Sequence, residues 1–596
     1  MIKLQQPRYL LIAASLFAGA CQSPGNHSNP AATADSLHHL ASRYYAENMA
    51  LNPLQATQNG ENQYNDQLPI DISESYRAKA DSFFASYQQA IKGIDTSLLS
   101  GNDRITYDML RREFNINREG LTFHDYLMPV QQFTCLPLTL TQLAGGTSAQ
   151  PFKTEKDYRN FMHRMERFAI WTDTAIANMR RGMASGYVLP KSLVVKVIPQ
   201  VTDLAKKDPA NNVYYAPLKM IPDSLGTEVK SQLIKDYTAT IEKYILPSFA
   251  KLQAFLQNEY LPQARSSSGI SGIPDGKAYY AYLVKTWTTT DLTPEAIFNL
   301  GEKEVTRIRG EMETVKNSTG FQGDLPAFFA SVRTDKKLRI FKTPAAILDS
   351  FKAIENKIMP SVKKMYGHLP KTPFEIRQTE AYRAASASAE YMQGSADGTR
   401  PGVFYVPILD ATQFSYTGME CLFLHEAIPG HHFQISLQQE NDSLPKFRRF
   451  SWIGAYGEGY ALYCESLGKE LGLYTDPYMY FGRLTDEIHR AIRLVVDVGL
   501  HTKGWTREQA IKYMMDNEPL SEQEATAEIE RYMAIPAQAL SYKIGELKIR
   551  ELRNKYTTAL GSKFSLSSFH DELLKDGCVP LSVLEQKMAR WAAAQK

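Results

Sequence analysis

Residues 415–434 read SYTGMECLFLHEAIPGHHFQ, and three of the 12 histidines of the chain fall within eight positions of this stretch. Thr417 and Glu420 are spaced as a capping box, and the apolar run that follows predicts the buried face of a helix. His425 and Glu426 continue that helix. Pro429-Gly430 should end or distort it before His431 and His432 are reached. The stretch therefore predicts a helix, a break and a histidine pair directly after the break.

Histidine and glutamate in this order suggest a metal site. In the H-E-x-x-H pattern of metallohydrolases, histidines four positions apart share one helical face and bind zinc, and the glutamate acts on the water. Here Pro429 occupies the position of the second histidine, so the second ligand must be displaced. His431 is the preferred candidate because it follows a glycine. His432 is the alternative, and the histidine that does not bind would support the site or face the substrate.

A third ligand is expected on a later helix. Glu458 lies in the segment Gly457–Tyr463, which reads GEGYALY and resembles the N-E-G-F-A segment of gluzincins, whose third zinc ligand is that glutamate. Glu465, two helical turns further on, would support the site. Two imidazoles and one carboxylate leave a zinc ion one open position for water. We predict one Zn²⁺ ion in the segment 415–465.

These motifs carry a family resemblance. Residues 425–432, residues 458–463 and the stretch 494–506 (LVVDVGLHTKGWT) resemble the domain of unknown function 885 family. The helix expected from Thr293 to about Met312 and the turn at 397–402 resemble it too. Its members are bacterial, often lipoproteins, and are grouped by similarity with gluzincin-type zinc metallopeptidases. The resemblance implies a mainly α, two-lobed metallopeptidase-like fold around a cleft.

Helical patterns dominate the rest of the chain. Apolar residues recur at three- to five-residue intervals from Leu233 to Leu256, with a break expected at Pro247. Thr293-Pro294 is an N-cap followed by a first-turn proline. Thr506 with Gln509 and Ser521 with Glu524 fit two further capping boxes.

One strand signal stands out in this helical chain. Gly402–Val406 reads GVFYV between prolines, which predicts a strand. This small β element could lie beside the active-site helix and pair with an extended peptide substrate, or it could be an ordinary internal strand. The region near residues 364–400, which contains Pro370 and Pro373, is a candidate lobe boundary.

Polar residues recur every fourth position on the helix expected from about Thr485, namely His489, Arg493, Asp497 and His501. His489 or Arg493 could hold a substrate carboxylate or the oxyanion. A solvated face with ion pairs is the competing interpretation. Tyr542 is a candidate donor to the tetrahedral intermediate, as tyrosines are in related zinc peptidases, and a packed tyrosine is the alternative.

The N-terminus predicts export and lipid attachment. A basic head, a short apolar run and Ala18-Gly19-Ala20-Cys21 resemble the lipobox of bacterial lipoproteins, although Ala18 replaces the usual leucine. An ordinary secretory signal with an incidental Cys21 is the alternative. We expect a signal peptide at 1–20, a flexible tether at 21–35 and a single two-lobed domain at 36–596. The same resemblance implies that Gln22, rather than Asp, after the cysteine favours the outer membrane, facing the periplasm or the cell surface. Lipid would then be the sole membrane attachment.

Composition excludes several other classes. The net charge of +3 over 596 residues argues against a basic nucleic-acid-binding surface. Five cysteines are too few for a disulfide scaffold, and the four besides Cys21 are expected in the core.

The leading hypothesis is a lipid-anchored zinc peptidase. His425, Glu458 and His431 or His432 would hold the metal, and Glu426 would take the proton from water. By analogy with related helical enzymes, the substrate would be a short peptide or a peptide end. Two alternatives stay open, a hydrolase of peptidoglycan stem peptides and a non-catalytic lipoprotein that binds metal or peptide.

Overall fold

The computed structural model describes residues 29–595 except residue 147 and the segments 381–387 and 395–399. The described part is mainly helical, with one small sheet. No described helix combines the length and apolar character that a membrane span requires. The α-helices run over Pro30–Leu51, Pro53–Gln58, Glu74–Ile91, Gly101–Gly120, Leu136–Ala144, Glu155–Ser185, Lys191–Leu204, Thr227–Thr240, Leu246–Phe255, Leu261–Gln263, Gly276–Thr288, Pro294–Ser318, Leu325–Thr334, Pro344–Met365, Met419–Glu426, His431–Glu440, Lys446–Arg449, Gly454–Ser466, Pro477–Thr502, Arg507–Asn517, Glu522–Ala534, Ser541–Leu560, Leu566–Leu574 and Leu581–Ala594.

Several helix starts follow from local hydrogen bonding. The Thr293 side chain accepts a hydrogen bond from the backbone N–H of Ala296, as expected for an N-cap. Both predicted capping boxes, at Thr506 and Ser521, are present. Pro247 does not break its helix, because it occupies the first turn of Leu246–Phe255, directly after a π-helical turn.

The capping box predicted at Thr417 was wrong. Gly418 is the N-cap of the helix Met419–Glu426, without a side-chain hydrogen bond. The carboxylate of Glu420 instead accepts the backbone N–H of Tyr474 at 2.7 Å. A tertiary contact has therefore replaced the local one.

The tether prediction is corrected at its end. Residues 30–35 form the first turns of the helix Pro30–Leu51, which begins with a proline and is capped by the side chain of Asn29. The proposed signal peptide, Cys21 and the turn residues 397–399 lie outside the described residues.

The sheet has three strands, β1 (Phe374–Gln378), β2 (Glu390–Met392) and β3 (Gly402–Val406), in the order β1-β3-β2. The strand predicted at 402–406 is confirmed, and all five of its residues are buried. It pairs in parallel with β1 and antiparallel with β2. Because both edges of β3 are used, it has no free edge for a peptide, and the strand-addition hypothesis for this strand was wrong.

Buried side chains form more than one apolar core. The largest contains residues from Ile105 to Ala592 and includes apolar residues of the helices in the segment 415–465. A second core lies between Leu68 and Tyr260. The division into two lobes around a cleft stays a prediction. Cys421, Cys464 and Cys578 are buried as expected, whereas Cys135 is partly exposed.

Candidate metal centre

The turn between the two histidines brings them together. The helix Met419–Glu426 (the His425 helix) ends after His425, and the next helix begins at His431. A Cβ atom at Gly430 would lie 2.0 Å from the carbonyl oxygen of His425, so this close approach requires glycine. The break predicted at Pro429-Gly430 is therefore confirmed.

His425, His431 and Glu458 form a three-residue cluster (the His2Glu cluster), and their ligand atoms lie within 4.8 Å of one another. Oε2 of Glu458 is 3.6 Å from Nε2 of His425 and 3.5 Å from Nε2 of His431. Two ligand atoms on a tetrahedral zinc ion, each at 2.0–2.1 Å from the metal, are about 3.3 Å apart. The donor types and the spacing of these contacts fit such an ion.

The imidazole of His425 is fixed by a second carboxylate. Its Nδ1 atom lies 2.7 Å from Oε1 of Glu465, which is 2% exposed. Burial opposes protonation of His425, but the carboxylates of Glu458 and Glu465 outweigh it and raise its pKa well above the usual value. With Nδ1–H directed at Glu465, the lone pair of Nε2 faces the His2Glu cluster.

The pKa of Glu458 is shifted in the opposite direction to that of His425. Burial acts to raise the pKa of its carboxyl group, but the imidazoles of His425 and His431 lower it far below its usual range. The carboxylate is therefore held in its charged form, which is the form that binds a metal.

His431 lies against an aromatic wall. Its ring meets the indole of Trp452 edge to face, with centroids 5.6 Å apart. Its Nδ1 atom is buried without a hydrogen bond to any described residue. Trp452 was not predicted from the sequence, because a lone tryptophan between two helices carries no metal-site pattern.

The imidazole of His432 lies outside the His2Glu cluster. Its Nδ1 atom is 3.0 Å from the Tyr391 hydroxyl, and its ring lies over Phe374 with centroids 4.6 Å apart. Burial lowers its pKa to about 4. The structure thus places His431 in the His2Glu cluster and His432 against β1 and β2.

Glu426 directly follows His425 and is 9% exposed. Its negative charge contributes to the raised pKa of His425. Its carboxylate has no hydrogen bond to any other described residue. The carboxylate that follows His425 in the chain is therefore free to accept a hydrogen bond from water.

Glu458 is positioned by unusually close helix packing. A Cβ atom at Gly459 would lie 2.4 Å from the Cα of Gly545, and one at Gly545 would lie 1.8 Å from the carbonyl oxygen of Ala455. The helices Gly454–Ser466 (the Glu458 helix) and Ser541–Leu560 (the Tyr542 helix) therefore touch backbone to backbone. At the start of the Tyr542 helix, a Cβ atom at Gly454 would lie 3.5 Å from Oγ of Ser541, the residue before Tyr542.

His489 and Arg493 belong to a buried ionic network. Arg493 donates to the Tyr532 hydroxyl at 2.9 Å and to Glu528 at 3.1 Å, and His489 contacts Glu518 at 2.8 Å. His489, Arg493, Asp497 and His501 were alternatively interpreted as a solvated face. That interpretation was wrong, because neighbouring helices cover these side chains. Nη1 of Arg493 is buried without a hydrogen bond among the described residues.

Tyr542 is half-buried beneath that network. The Arg493 guanidinium lies 4.7 Å from the centre of its ring, at cation–π distance. Its hydroxyl has no hydrogen bond to a described residue, so it is free to donate.

Asp497 and His501, the last two polar residues of the same series, connect helices. Asp497 accepts hydrogen bonds from the Tyr280 hydroxyl and from the backbone N–H of Ala537. Nδ1 of His501 accepts the backbone N–H of Ile270, and its Nε2 lies 3.0 Å from the carbonyl oxygen of Tyr532. Both side chains are fully buried and have structural partners.

The fold and the His2Glu cluster define a mainly helical protein with a candidate metal centre. The family described as bacterial protein of unknown function (DUF885) matches residues 53–588. The chain belongs to this family, as its motifs predicted. No curated protein matches the chain.

Two solved structures are similar over almost their whole length. A candidate lipoprotein from Colwellia psychrerythraea is 28% identical with a TM-score of 0.83, and the match covers 94% of this chain and 99% of that one. A candidate lipoprotein of unknown function from Shewanella oneidensis is 20% identical with a TM-score of 0.75, covering 93% and 99%. The second likeness shows the shared fold alone.

Proposed function

We propose that the protein is a zinc-dependent peptidase of the gluzincin type that hydrolyses short peptides or peptide ends. The observation that carries this proposal is the Glu426 carboxylate, which lies beside the His2Glu cluster without a hydrogen-bond partner. A site that only bound metal would have no use for an unpaired carboxylate next to the ligands.

The metal would be held by Nε2 of His425, Nε2 of His431 and Oε2 of Glu458. Bound zinc supplies Lewis-acid chemistry, which polarises a peptide carbonyl and makes water a nucleophile at neutral pH. Glu465 orients His425 through the 2.7 Å contact to Nδ1.

Glu426 transfers the proton from the attacking water to the leaving amine in the proposed reaction. A carboxylate oxygen accepts a proton from the attacking water and then delivers it to the nitrogen of the leaving amine. The hydroxyl of Tyr542 donates a hydrogen bond to the carbonyl oxygen as negative charge develops there. Arg493 acts by positioning Tyr542, since its guanidinium lies over the phenol ring and its other contacts bind it to Tyr532 and Glu528.

Metal analysis together with a peptide digest tests the proposal. Purified wild type and Glu426→Gln should each contain about one zinc ion per chain, because Glu426 is not a ligand. Mass spectrometry of a digested peptide mixture should show new products with wild type alone. Glu508→Gln, at an exposed glutamate, is the control and should cleave as wild type does. Identical digests for wild type and Glu426→Gln would rule out the peptidase mechanism.

We also propose that the mature protein is anchored through a lipid on Cys21, facing the periplasm or the cell surface from the outer membrane. The lipobox-like sequence at 18–21 and the similarity to the candidate lipoprotein from Colwellia psychrerythraea support this. Labelling with radioactive palmitate should mark the wild type and not Cys21→Ser. Equal labelling of both proteins would contradict the anchor.

A further inference from the structure

An aromatic cavity lies next to the candidate metal centre. It has a volume of about 480 Å³, within the range of small-ligand pockets. Its walls come from the helices Pro30–Leu51 and Gly101–Gly120 and from the loop before the Glu458 helix. Its aromatic wall residues are Tyr44, Tyr45, Trp287, Phe447, Phe450 and Trp452.

The cavity shares residues with the site. Trp452 lines it and also meets the ring of His431, and the indole is 48% exposed. Gly454, another lining residue, lies one helical turn before Glu458, which is about 6 Å along the helix axis. The cavity therefore adjoins the candidate site at Trp452.

Arg112 gives the cavity an anion-binding group. Nη2 donates to the carbonyl oxygens of Lys285 and Thr286, and its other guanidinium nitrogens have no hydrogen bond to a described residue. No described carboxylate lies within ion-pair distance of it. Burial lowers the pKa of its guanidinium, and the more distant charges of Glu113 and Asp291 act in the opposite direction without outweighing burial.

The other charged groups of the cavity are already engaged. Lys446 pairs with Glu61 at 3.0 Å. The carboxylate of Glu113 accepts hydrogen bonds from Tyr44 and Asn117. Among the described residues, Arg112 is thus the lining cation without an ion-pair partner, and a carboxylate is its natural partner because the guanidinium can bind it in a bidentate manner.

We propose that this cavity binds the C-terminal residue of a peptide substrate, with an aromatic side chain against the aromatic wall and the terminal carboxylate on Arg112. The assignment rests on the proposed peptidase function and specifies it as removal of residues from the C-terminal end. Aromatic rings favour edge and offset contacts with one another, and the aromatic residues of the wall can provide them. In the C-terminal residue of a peptide, the carboxylate and the side chain are bonded to the same Cα atom, so one residue can contact both Arg112 and the wall.

Matched peptides test the assignment by activity. One peptide ends in phenylalanine as the free acid, the second is its C-terminal amide, and a third ends in alanine. The wild-type full-length protein, as purified with its metal, should cleave the free acid with a kcat/KM at least about 10-fold above either of the others, since a charge-assisted contact is lost with the amide.

The variant Arg112→Gln should raise KM for the free acid about 10- to 100-fold and leave kcat and cleavage of the amide nearly unchanged. Arg111→Gln removes an exposed arginine of the same helix and should behave as wild type. Arg112→Lys keeps the charge and should recover part of the loss, and it serves in place of Arg112→Gln if that variant does not fold. A general structural role would lower cleavage of free acid and amide alike, and that result overturns the proposal.

Binding provides a readout that is independent of cleavage. By calorimetry, N-acetylphenylalanine should bind the wild type and bind Arg112→Gln at least about 10-fold more weakly, whereas its amide should bind both weakly. Equal binding of the acid to wild type and Arg112→Gln would show that another group holds the carboxylate and would overturn the assignment.

The two proposals fail in different ways. If cleavage depends on Glu426 but the free acid and the amide react equally, the C-terminal assignment is wrong and the peptidase proposal stands. If no peptide is cleaved but N-acetylphenylalanine binds through Arg112, the cavity assignment stands as a binding site for C-terminal residues and the peptidase proposal is wrong.

Discussion

Nδ1 of His425 lies 2.7 Å from Oε1 of Glu465, a residue of the neighbouring Glu458 helix. This contact joins the His425 helix to the helix that carries Glu458. Because Glu458 and Glu465 lie on one helix, the same element supplies a candidate ligand and orients another. A shift of the Glu458 helix would therefore disturb two of the three groups of the His2Glu cluster at once.

Replacing Glu465 by glutamine should weaken zinc binding. The amide keeps the shape of the side chain but loses the charge that orients His425 and increases its basicity, so we expect the dissociation constant for zinc to rise about 10- to 100-fold. Competition with a chromophoric chelator measures this. Glu470→Gln, at a partly exposed residue that pairs with Arg553, is the control. An unchanged affinity in Glu465→Gln would show that the contact does not support the metal.

The two adjacent histidines should respond differently to substitution. His431→Ala removes a proposed ligand and should lose most of the bound zinc. His432→Gln should keep it, because His432 contacts Tyr391 and Phe374 instead. Elemental analysis of both purified variants gives the answer. Zinc loss in His432→Gln but not in His431→Ala would reverse the ligand assignment.

The glycine contact between the Glu458 helix and the Tyr542 helix should be intolerant of a methyl group. Gly545→Ala places a Cβ 1.8 Å from the carbonyl oxygen of Ala455, so the helices must separate. We expect a loss of about 1–3 kcal/mol or more in the free energy of unfolding, together with weaker zinc binding. Thermal unfolding and zinc titration measure the two effects.

Gly310→Ala is the matched control for that substitution. Gly310 is also helical, but a Cβ there meets nothing within 4 Å. Alanine should stabilise this helix by about 0.5–1 kcal/mol. If both variants had the same Tm, the close helix contact would not matter for stability.

Asp497 should make stability depend on pH. Burial raises its pKa from 3.8 to about 7, so between pH 4 and pH 7 the folded state binds more protons at this site than the unfolded state does. The contribution of Asp497 to the free energy of unfolding therefore falls as pH rises through this window, by up to ~4 kcal/mol, and is constant above it.

Asp497→Asn should remove that dependence, since the amide oxygen can still accept from Tyr280 and Ala537 and carries no charge. The stability of the variant relative to wild type should rise from pH 4 to pH 8, as measured by urea unfolding at each pH. Asp516→Asn, at an exposed residue, should show no comparable trend. A constant difference between Asp497→Asn and wild type would mean that Asp497 ionises normally.

Much of the architecture was predictable because its signals are local. Capping residues at Thr293, Thr506 and Ser521 satisfy backbone groups a few positions away, so they determine helix starts wherever the helix packs. The strand at 402–406 and the break at Pro429-Gly430 are likewise properties of short segments. Thr417 is the exception, since Glu420 binds a backbone group from a distant part of the chain.

The candidate site was only partly predictable. The residue types at 425–432 and 458 indicated a metal cluster, and the spacing of Glu465 from Glu458 indicated a supporting role. The sequence left His431 and His432 as alternatives, because both follow the same turn. The orientation of each imidazole depends on its neighbours, which are Glu458 and Trp452 for one and Tyr391 and Phe374 for the other.

By itself, the sequence determined the family, the mainly helical class and the group of residues from which a metal site can be built, since these follow from composition, periodicity and motif. Tertiary structure decided which histidine faces Glu458, that the strand at 402–406 has no free edge, and that Arg112 and Trp452 line one cavity near the site. Those features join segments that are not neighbours in the chain, from His431 and Glu458, which are 27 residues apart, to Arg112 and Trp452, which are 340 residues apart. Such proximity arises from tertiary packing rather than from local sequence preferences.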